Sequence, residues 1–482
     1  MSIRKHTAYN LFGTVLPIAV SLITIPVYID TIGESRYGVL AIAWLLLGYF
    51  GLFDLGLGRA TAQRIASLGH AKAKERSDTF WTALAINSAL GLLGAFIMWP
   101  VALYFFGNHF SVDTKLELEI LDVAHWLALA VPVATISGVF SGTLQGLSKF
   151  LELNLISVIG SAFLQIVPLT VALIYGPDLT WLIPVTIITR LFVMAILFQR
   201  CYSSILAGHA FKISKALSGS LLQFGGWVTI SSVVGPMMVI LDRFVIGAQL
   251  GARYVTFYTV PFQLAERTNV IPNALSSAMF PQLAQVGLGS EGKMLSEKAL
   301  THLTVIMTPL FLLGIFLIDW FIGFWIGEGF ALKASVVGQI LLVGFWANAI
   351  AKIPNALLQA GGRPDIVAKC HLVELIPYFI LLYFGLEYLG IVGAAIAFSI
   401  RASADTLFLL YWANILKRSL IFLVIPFVFL ISSVIAASPN NPIWVFYGIG
   451  ILIFILCIYW VFIHISNDFK KHFQSAFRNT KF

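Results

Sequence analysis

The chain has 482 residues, of which 59% are hydrophobic and only 11% are Asp, Glu, Lys or Arg, with a mean hydropathy of +0.91. A water-soluble domain carries about 25% charged residues. This chain therefore lacks the charge to cover a water-facing surface, and the about three globular domains its length would otherwise suggest are excluded. The net charge of +8 does not indicate nucleic acid either, because Lys and Arg sit in short clusters between apolar runs, as membrane topology requires.

A helix needs ~20 apolar residues to cross the hydrocarbon core, where no water satisfies the backbone. Runs of that kind fall at residues 10–30, 38–58, 80–106, 120–143, 154–175, 181–199, 222–246, 254–281, 302–324, 336–357, 370–386, 390–414, 419–437 and 443–464. The sequence thus predicts an all-α integral membrane protein with about fourteen transmembrane helices. The separators are turn sequences: Gly33-Glu34-Ser35-Arg36, Gly176-Pro177-Asp178 and Ser438-Pro439-Asn440-Asn441-Pro442. The first run has no small-residue cleavage site and more spans follow it, so no cleavable signal is expected. Cys201, Cys370 and Cys457 lie far apart, with neither a disulfide framework nor metal-ligand spacing.

Basic residues set the orientation. With the N-terminus inside, 22 of the 30 Lys and Arg fall in inner segments and four (Arg36, Lys115, Arg253 and Lys333) in outer ones. This asymmetry predicts that both termini are cytoplasmic.

An internal repeat accompanies the topology. Ile32-Gly33-Glu34-Ser35-Arg36-Tyr37 follows span 1 as Leu250-Gly251-Ala252-Arg253-Tyr254 follows span 7; Leu144-Gln145-Gly146 ends span 4 as Leu358-Gln359-Ala360-Gly361 ends span 10. The offset is about six spans, an even number, so the halves share one orientation, as in transporters built from parallel repeats. The expected division is an N-terminal lobe at 1–215, a C-terminal lobe at 216–418, and two further helices with a tail at 419–482.

Polar stripes run along three spans. Asn10, Thr14, Pro17, Ser21, Thr24 and Tyr28 alternate by four and three on one face of span 1, and Asn348, Lys352, Asn355 and Gln359 do so on span 10. Span 8 carries Gln263, Glu266, Asn269 and Asn273, broken by Pro261 and Pro272. Interhelical hydrogen bonding explains such stripes as readily as a hydrated passage does; three long stripes favour the passage. Charges within spans are the second signal: Arg190, Glu266, Arg267, Arg401 and Asp405. Each costs ~2.5–3.5 kcal/mol on insertion scales and should face protein or water. Arg401 and Asp405 stand four apart and can pair with each other. Arg190 has no acidic residue near it in sequence and is the best single candidate for contact with an anionic ligand.

Other features read as architecture. Gly138, Gly142 and Gly146 make a small-residue face on span 4. Asp54 with Arg59 and Asp242 with Arg243 read as structural groups; Asp122 and His125, near the start of span 4, could carry protons for coupling, with a satisfied core histidine the simpler reading. Gly287-Leu288-Gly289-Ser290-Glu291-Gly292-Lys293-Met294 matches a phosphate loop up to its last position, where Met stands in place of the Ser or Thr that would hold magnesium, and it follows a membrane helix rather than a strand. ATP hydrolysis is not expected. A membrane-embedded glycosyltransferase would need a large outer loop, and the longest outer segment, near 107–119, is too short; the chain is not read as an enzyme.

Ile32-Gly33-Glu34-Ser35-Arg36-Tyr37-Gly38, followed by Tyr49-Phe50-Gly51-Leu52-Phe53-Asp54-Leu55-Gly56-Leu57, resembles the bacterial Wzx-type polysaccharide flippases of O-antigen and capsule synthesis, members of the multidrug/oligosaccharidyl-lipid/polysaccharide (MOP) exporter superfamily. The match is most specific over residues 10–70; Gln145-Gly146 is also similar to the family. The resemblance implies two parallel six-helix lobes around a central cavity plus two C-terminal helices, in the bacterial cytoplasmic (inner) membrane. It implies an undecaprenyl-pyrophosphate-linked oligosaccharide as substrate, moved to the periplasmic leaflet by alternating access, with proton or sodium coupling, no further cofactor, and a polysaccharide polymerase and chain-length regulator as partners beside the membrane lipids. Chemistry then assigns Arg190 and Arg267 to the pyrophosphate, with Arg401 and Lys352 next and Glu266 beside them. Asn10, Thr14, Ser21, Asn269, Asn273, Asn348 and Asn355 would offer hydrogen bonds to sugar hydroxyls. A cation-coupled multidrug exporter of the same superfamily and a peptidoglycan-precursor flippase are the alternatives.

Overall fold

A computed structural model describes residues 3–49, 56–68, 72–207, 210–215, 217–219, 221, 238, 241–437 and 442–464; the side chains of 3–15, 46–49 and 443–447 lie outside the described set. The described residues contain helices and no strand. Among them ten helices are long and apolar enough to cross a membrane, so the chain is a multi-pass membrane protein. Their outer faces suit lipid: on the eleventh helix introduced below, Leu372, Val373, Ile376, Ile380 and Tyr383 are all exposed. Span 7 falls largely outside the described residues, apart from a helical end at 241–249. Contacts divide the chain into two compact units, one up to Thr256 and one from Phe257.

The first unit begins with α1 (Ile3–Tyr49), which carries both of the first two expected spans without an intervening loop. Gly33 interrupts it at φ +79°, a conformation that side chains resist. The Tyr28 and Trp44 rings lie 5.3 Å apart, whereas sixteen residues of straight helix would separate them by about 24 Å. The chain therefore turns back on itself at Gly33, and Tyr37 packs between the arms, 6.2 Å from each ring. There follow α2 (Leu57–Ser67), α3 (Ala73–Asn108), α4 (Thr114–Gly146), α5 (Phe150–Tyr175) and α6 (Leu179–Cys201). Asp113 caps α4 by accepting from the Leu116 amide at 2.9 Å. About two thirds of the most apolar stretch of α4 is buried, more than in any other span of its unit. Its glycine face accepts α2: a Cβ at Gly142 would collide with the Gly58 carbonyl, and one at Gly146 would lie 2.7 Å from the Ala62 carbonyl.

A carboxylate–guanidinium fork ties the first unit together. Arg36 donates to Glu119 through Nε at 2.9 Å and Nη2 at 2.5 Å, and Nη2 also reaches Asp178 at 3.4 Å. Glu119 further accepts from the Leu179 amide at the start of α6, at 3.3 Å. Asp242 and Arg243 pair at 2.7 Å and are fully buried. Glu34 binds the Arg253 guanidinium, and its carbonyl accepts from Thr256 Oγ1 at 2.6 Å.

The second unit comprises α7 (Ala252–Glu266, whose first turns still pack in the first unit), α8 (Val270–Val286), α9 (Ser290–Trp325), α10 (Glu328–Ala360), α11 (Pro364–Leu389), α12 (Ile391–Trp412), α13 (Leu416–Ala436) and α14 (Ile443–His464). Span 8, expected to be one helix, is divided between α7 and α8 by a 3-10 turn at Arg267–Asn269. Pro272 has no N–H to return to the Thr268 carbonyl, which loosens the helix there. Helix α9 starts well before residue 302 because its polar first turns continue in helical form outside the apolar run. Helix α10 is the counterpart of α4: both have 33 residues and both end in the repeated Leu-Gln motif. Its most apolar stretch is 83% buried, again more than in any other span of its unit. Ser399 and Thr406 of α12 donate to the Ile340 and Ala347 carbonyls of α10, each at 2.8 Å, fastening the two helices at matching seven-residue intervals. Helices α11 and α12 meet backbone to backbone at Gly385 and Gly393, where a Cβ on Gly393 would overlap the Gly385 carbonyl. On the far side, α13 and α14 join through Phe422 and Trp460, 4.7 Å between rings.

Candidate substrate-binding site

Packing in the second unit gathers charge. The face of α11 at His371, Glu374 and Tyr378 interleaves with that of α12 at Phe398, Arg401 and Asp405, both faces following helical spacing. Arg401 Nη1 lies 4.0 Å from Glu374 Oε2, with side-chain exposures of 10% and 3%. His371 Nε2 lies 3.6 Å from Asp405 Oδ1. The guanidinium of Arg401 also covers the rings of Phe398 at 5.3 Å and Tyr378 at 5.5 Å. Fastening α12 to α10 brings Lys352 close enough to feel Asp405, Glu266 and Arg401. Lys352 is half-buried and forms no ion pair among the described residues. Both oxygens of Glu374, Asp405 Oδ1 and Arg401 Nε are buried without a hydrogen-bond partner.

Arg401 thus faces Glu374 across the α11–α12 contact, not Asp405 four residues along its own helix, and Asp405 faces His371. The Arg401–Asp405 reading is corrected for a geometric reason. Their side chains lie along the interface with α11, so each meets the neighbouring helix before it meets the other.

In the first unit Arg190 is half-buried on α6. Its Nε is buried and unbonded, and it has no carboxylate or ring partner among the described residues. Its helical neighbours Ile187 and Leu191 pack with Trp44 and Trp126. Arg267 and Asn273 are exposed, as is Glu266, and Asn269 Oδ1 is buried without a partner. Arg267 likewise has no ion pair among the described residues.

The polar stripes divide between two uses. On span 1, Ser21 donates to the Ile18 carbonyl at 2.8 Å, Thr24 to Gln165 Oε1 at 2.9 Å and Tyr28 to the Gln165 carbonyl at 2.6 Å. That stretch binds α1 to α5. The side chains of Asn10 and Thr14 lie outside the described residues, as does Asp54. On span 10, Gln359 donates to Asn355 Oδ1 at 2.6 Å, while Asn348 is half-buried near Lys352 on the same face.

The comparisons with known proteins agree with this architecture. Residues 32–335 match the family model described as polysaccharide biosynthesis protein. A putative O-antigen transporter of Shigella flexneri is 30% identical over 86% of this chain and 97% of its own length. The chain belongs to the polysaccharide biosynthesis protein family. In keeping with the resemblance read at Ile32–Gly38, the lipopolysaccharide biosynthesis protein WzxC of Escherichia coli is 22% identical over 84% of this chain and 80% of its own length. Two solved structures share its fold. The lipid II flippase MurJ, in an inward closed conformation, aligns over 97% of this chain and 99% of its own with TM-score 0.70 and 17% identity. An inward-facing multidrug resistance MATE transporter aligns over 85% and 98% with TM-score 0.68 and 13% identity.

Two cluster members in this family protein escaped the sequence reading. His371 and Glu374 lie in or at the head of span 11, and a carboxylate inside an apolar run was itself the available signal. Counting Glu374 balances Lys352 and Arg401 against Glu374 and Asp405. With Arg190 and Arg267 set against Glu266, the basic groups named within the spans exceed the acidic ones by one.

Proposed function

We propose that this protein is a flippase that moves undecaprenyl-pyrophosphate-linked oligosaccharide repeat units from the cytoplasmic to the periplasmic leaflet of the bacterial inner membrane by alternating access, for O-antigen or capsule synthesis. Both termini are cytoplasmic in this reading, the lobes are 1–215 and 216–418, and a polysaccharide polymerase and chain-length regulator act downstream. The isoprenoid stays in lipid while the polar headgroup crosses. The observation that carries the reading is Arg190: a half-buried guanidinium inside an apolar helix with no carboxylate partner among the described residues, in a chain whose family builds surface polysaccharide. A mid-depth arginine of this kind is suited to a pyrophosphate. Arg267 is the second contact; Lys352 and Arg401, held beside carboxylates, orient the headgroup, with Glu266 beside Lys352. Asn269, Asn273, Asn348 and Asn355, with Asn10 and Thr14, offer hydrogen bonds to sugar hydroxyls.

Deletion of the gene should abolish surface polysaccharide and leave lipid-linked units in the cytoplasmic leaflet. Charge-assisted hydrogen bonds contribute about 1.5–3 kcal/mol each, so Arg190→Ala should lower complementation by roughly 10- to 100-fold at normal membrane abundance, with Arg190→Lys retaining part of it. Unaltered surface glycan with altered drug efflux in the deletion strain refutes the substrate assignment. Full complementation by Arg190→Ala refutes the role of that arginine.

A further inference from the structure

The segment that imitates a phosphate loop has a second feature. Lys293, on the first turns of α9, lines a cavity of about 530 Å³ together with Ser290, Met294, Glu297, Tyr411, Asn414, Ile415, Leu416, Lys417 and Arg418. We infer that this cavity is a binding site for the phosphate headgroup of an anionic glycerophospholipid of the surrounding bilayer.

The charge at the cavity is unbalanced. Arg418 pairs with Glu297 at 3.1 Å, which uses the one carboxylate among the described lining residues. Lys293 and Lys417 have no ion partner among the described residues. Two helices also begin here, α9 at Ser290 and α13 at Leu416, and neither has a side-chain cap. A helix N-terminus carries partial positive charge and disfavours cations. Helix α13 nevertheless places Lys417 and Arg418 in its first turn, with no acidic residue there. Glu291 answers the start of α9, but α13 has no such counterpart, so the like charges gathered there favour an added anion. On the same first turns Ser296 and Ser419 are buried with hydroxyls that have no partner among the described residues. The neighbouring cavity makes a contrast: Arg363 and Lys369 line it, but both are paired with Asp365.

The surroundings specify a lipid. Tyr411 and Trp412, 60% and 50% exposed, mark an aromatic interface belt. Beyond it α13 exposes Ile421, Val424, Ile425 and Val428, an apolar track for acyl chains. A basic pocket between transmembrane helices, opening on such a track, suits an anionic headgroup, and its volume falls within the range of about 300–1,000 Å³ usual for small-ligand sites. Only the leaflet, the cytoplasmic one, rests on the orientation proposed above.

The test uses the full chain in detergent micelles, titrated with dioleoylphosphatidylglycerol, dioleoylphosphatidylcholine or inorganic phosphate, with lipid retention read by native mass spectrometry and the thermal midpoint followed in parallel. Phosphatidylglycerol should bind and raise the midpoint while phosphatidylcholine does not. The double substitution Lys293→Gln with Lys417→Gln should weaken phosphatidylglycerol roughly 30-fold and leave the midpoint in phosphatidylcholine unchanged; both side chains lie outside the buried core, so the fold should survive. Equal stabilisation by both lipids, an equal effect of inorganic phosphate at matched concentration, or wild-type phosphatidylglycerol binding by the double variant would each overturn the proposal. No undecaprenyl lipid is present, so this result stands apart from the transport assay.

Discussion

Glu119→Gln should loosen the first unit far more than a single atom exchange suggests. The carboxylate accepts both arms of the Arg36 fork, at 2.9 and 2.5 Å, and the first amide of α6 at 3.3 Å. Only 8% of Glu119 and 20% of Arg36 is exposed, so water replaces little of what is lost. Charge-assisted hydrogen bonds contribute about 1.5–3 kcal/mol each. Glutamine keeps one acceptor but turns an NH₂ toward the guanidinium, while Asp178 at 3.4 Å recovers part of the loss. The net destabilisation should be about 2–3 kcal/mol. A double-mutant cycle with Arg36→Gln, measured by unfolding in mixed detergent micelles, should return most of that as coupling. Hydrogen exchange at the Leu179 amide should accelerate in parallel. A coupling below about 0.5 kcal/mol, with Leu179 still protected, would show that the fork does not hold α1, α4 and α6 together.

In the second unit, Arg401→Gln should cost about 3–5 kcal/mol by leaving buried carboxylates uncompensated, and Glu374→Gln introduced with it should recover part of the loss; additive losses in the same unfolding assay would break the pairing. Gly393→Ala should destabilise by about 1–3 kcal/mol and Gly393→Leu should prevent membrane accumulation, read by fluorescence-detected size exclusion, because any Cβ there meets the Gly385 carbonyl.

Hydropathy made the membrane class legible. The Leu-Gln endings noted at spans 4 and 10 belong to α4 and α10, the most buried span of each unit. What hydropathy could not show was how helices are broken or aimed. Gly33-Glu34-Ser35-Arg36 reads as a loop, yet helix continues on both sides of a single left-handed residue. Span 8 reads as one span interrupted by Pro261 and Pro272, and hydropathy alone does not say that the break falls as a 3-10 turn at Arg267–Asn269, before the N–H that Pro272 lacks. Arg36, part of the motif that carries the family resemblance, reads as a surface charge on the outer side. Its fork with Glu119 and Asp178 depends on residues 83 and 142 positions away in the chain, beyond any local pattern. Ser21, Thr24 and Tyr28 followed the spacing of a passage-lining stripe and are bonded locally or to α5. Spacing identifies a face, and only packing decides what that face meets.

The contrast between the two buried arginines bears most directly on transport. Each costs ~2.5–3.5 kcal/mol to place at mid-depth. Arg401 is compensated within its own unit by a carboxylate and two aromatic rings, so it would be stable with no ligand present and is suited to hold a cluster in position. Arg190 has no such compensation among the described residues of its unit, and the side chains around it on α6 are aliphatic and aromatic. A guanidinium left in that condition needs water or an anion. A site wet enough to admit water is also open to a charged headgroup. In the function proposed, the uncompensated arginine, not the more crowded charge cluster, is therefore where a pyrophosphate would gain most on binding, and it is where a single substitution should separate transport from folding.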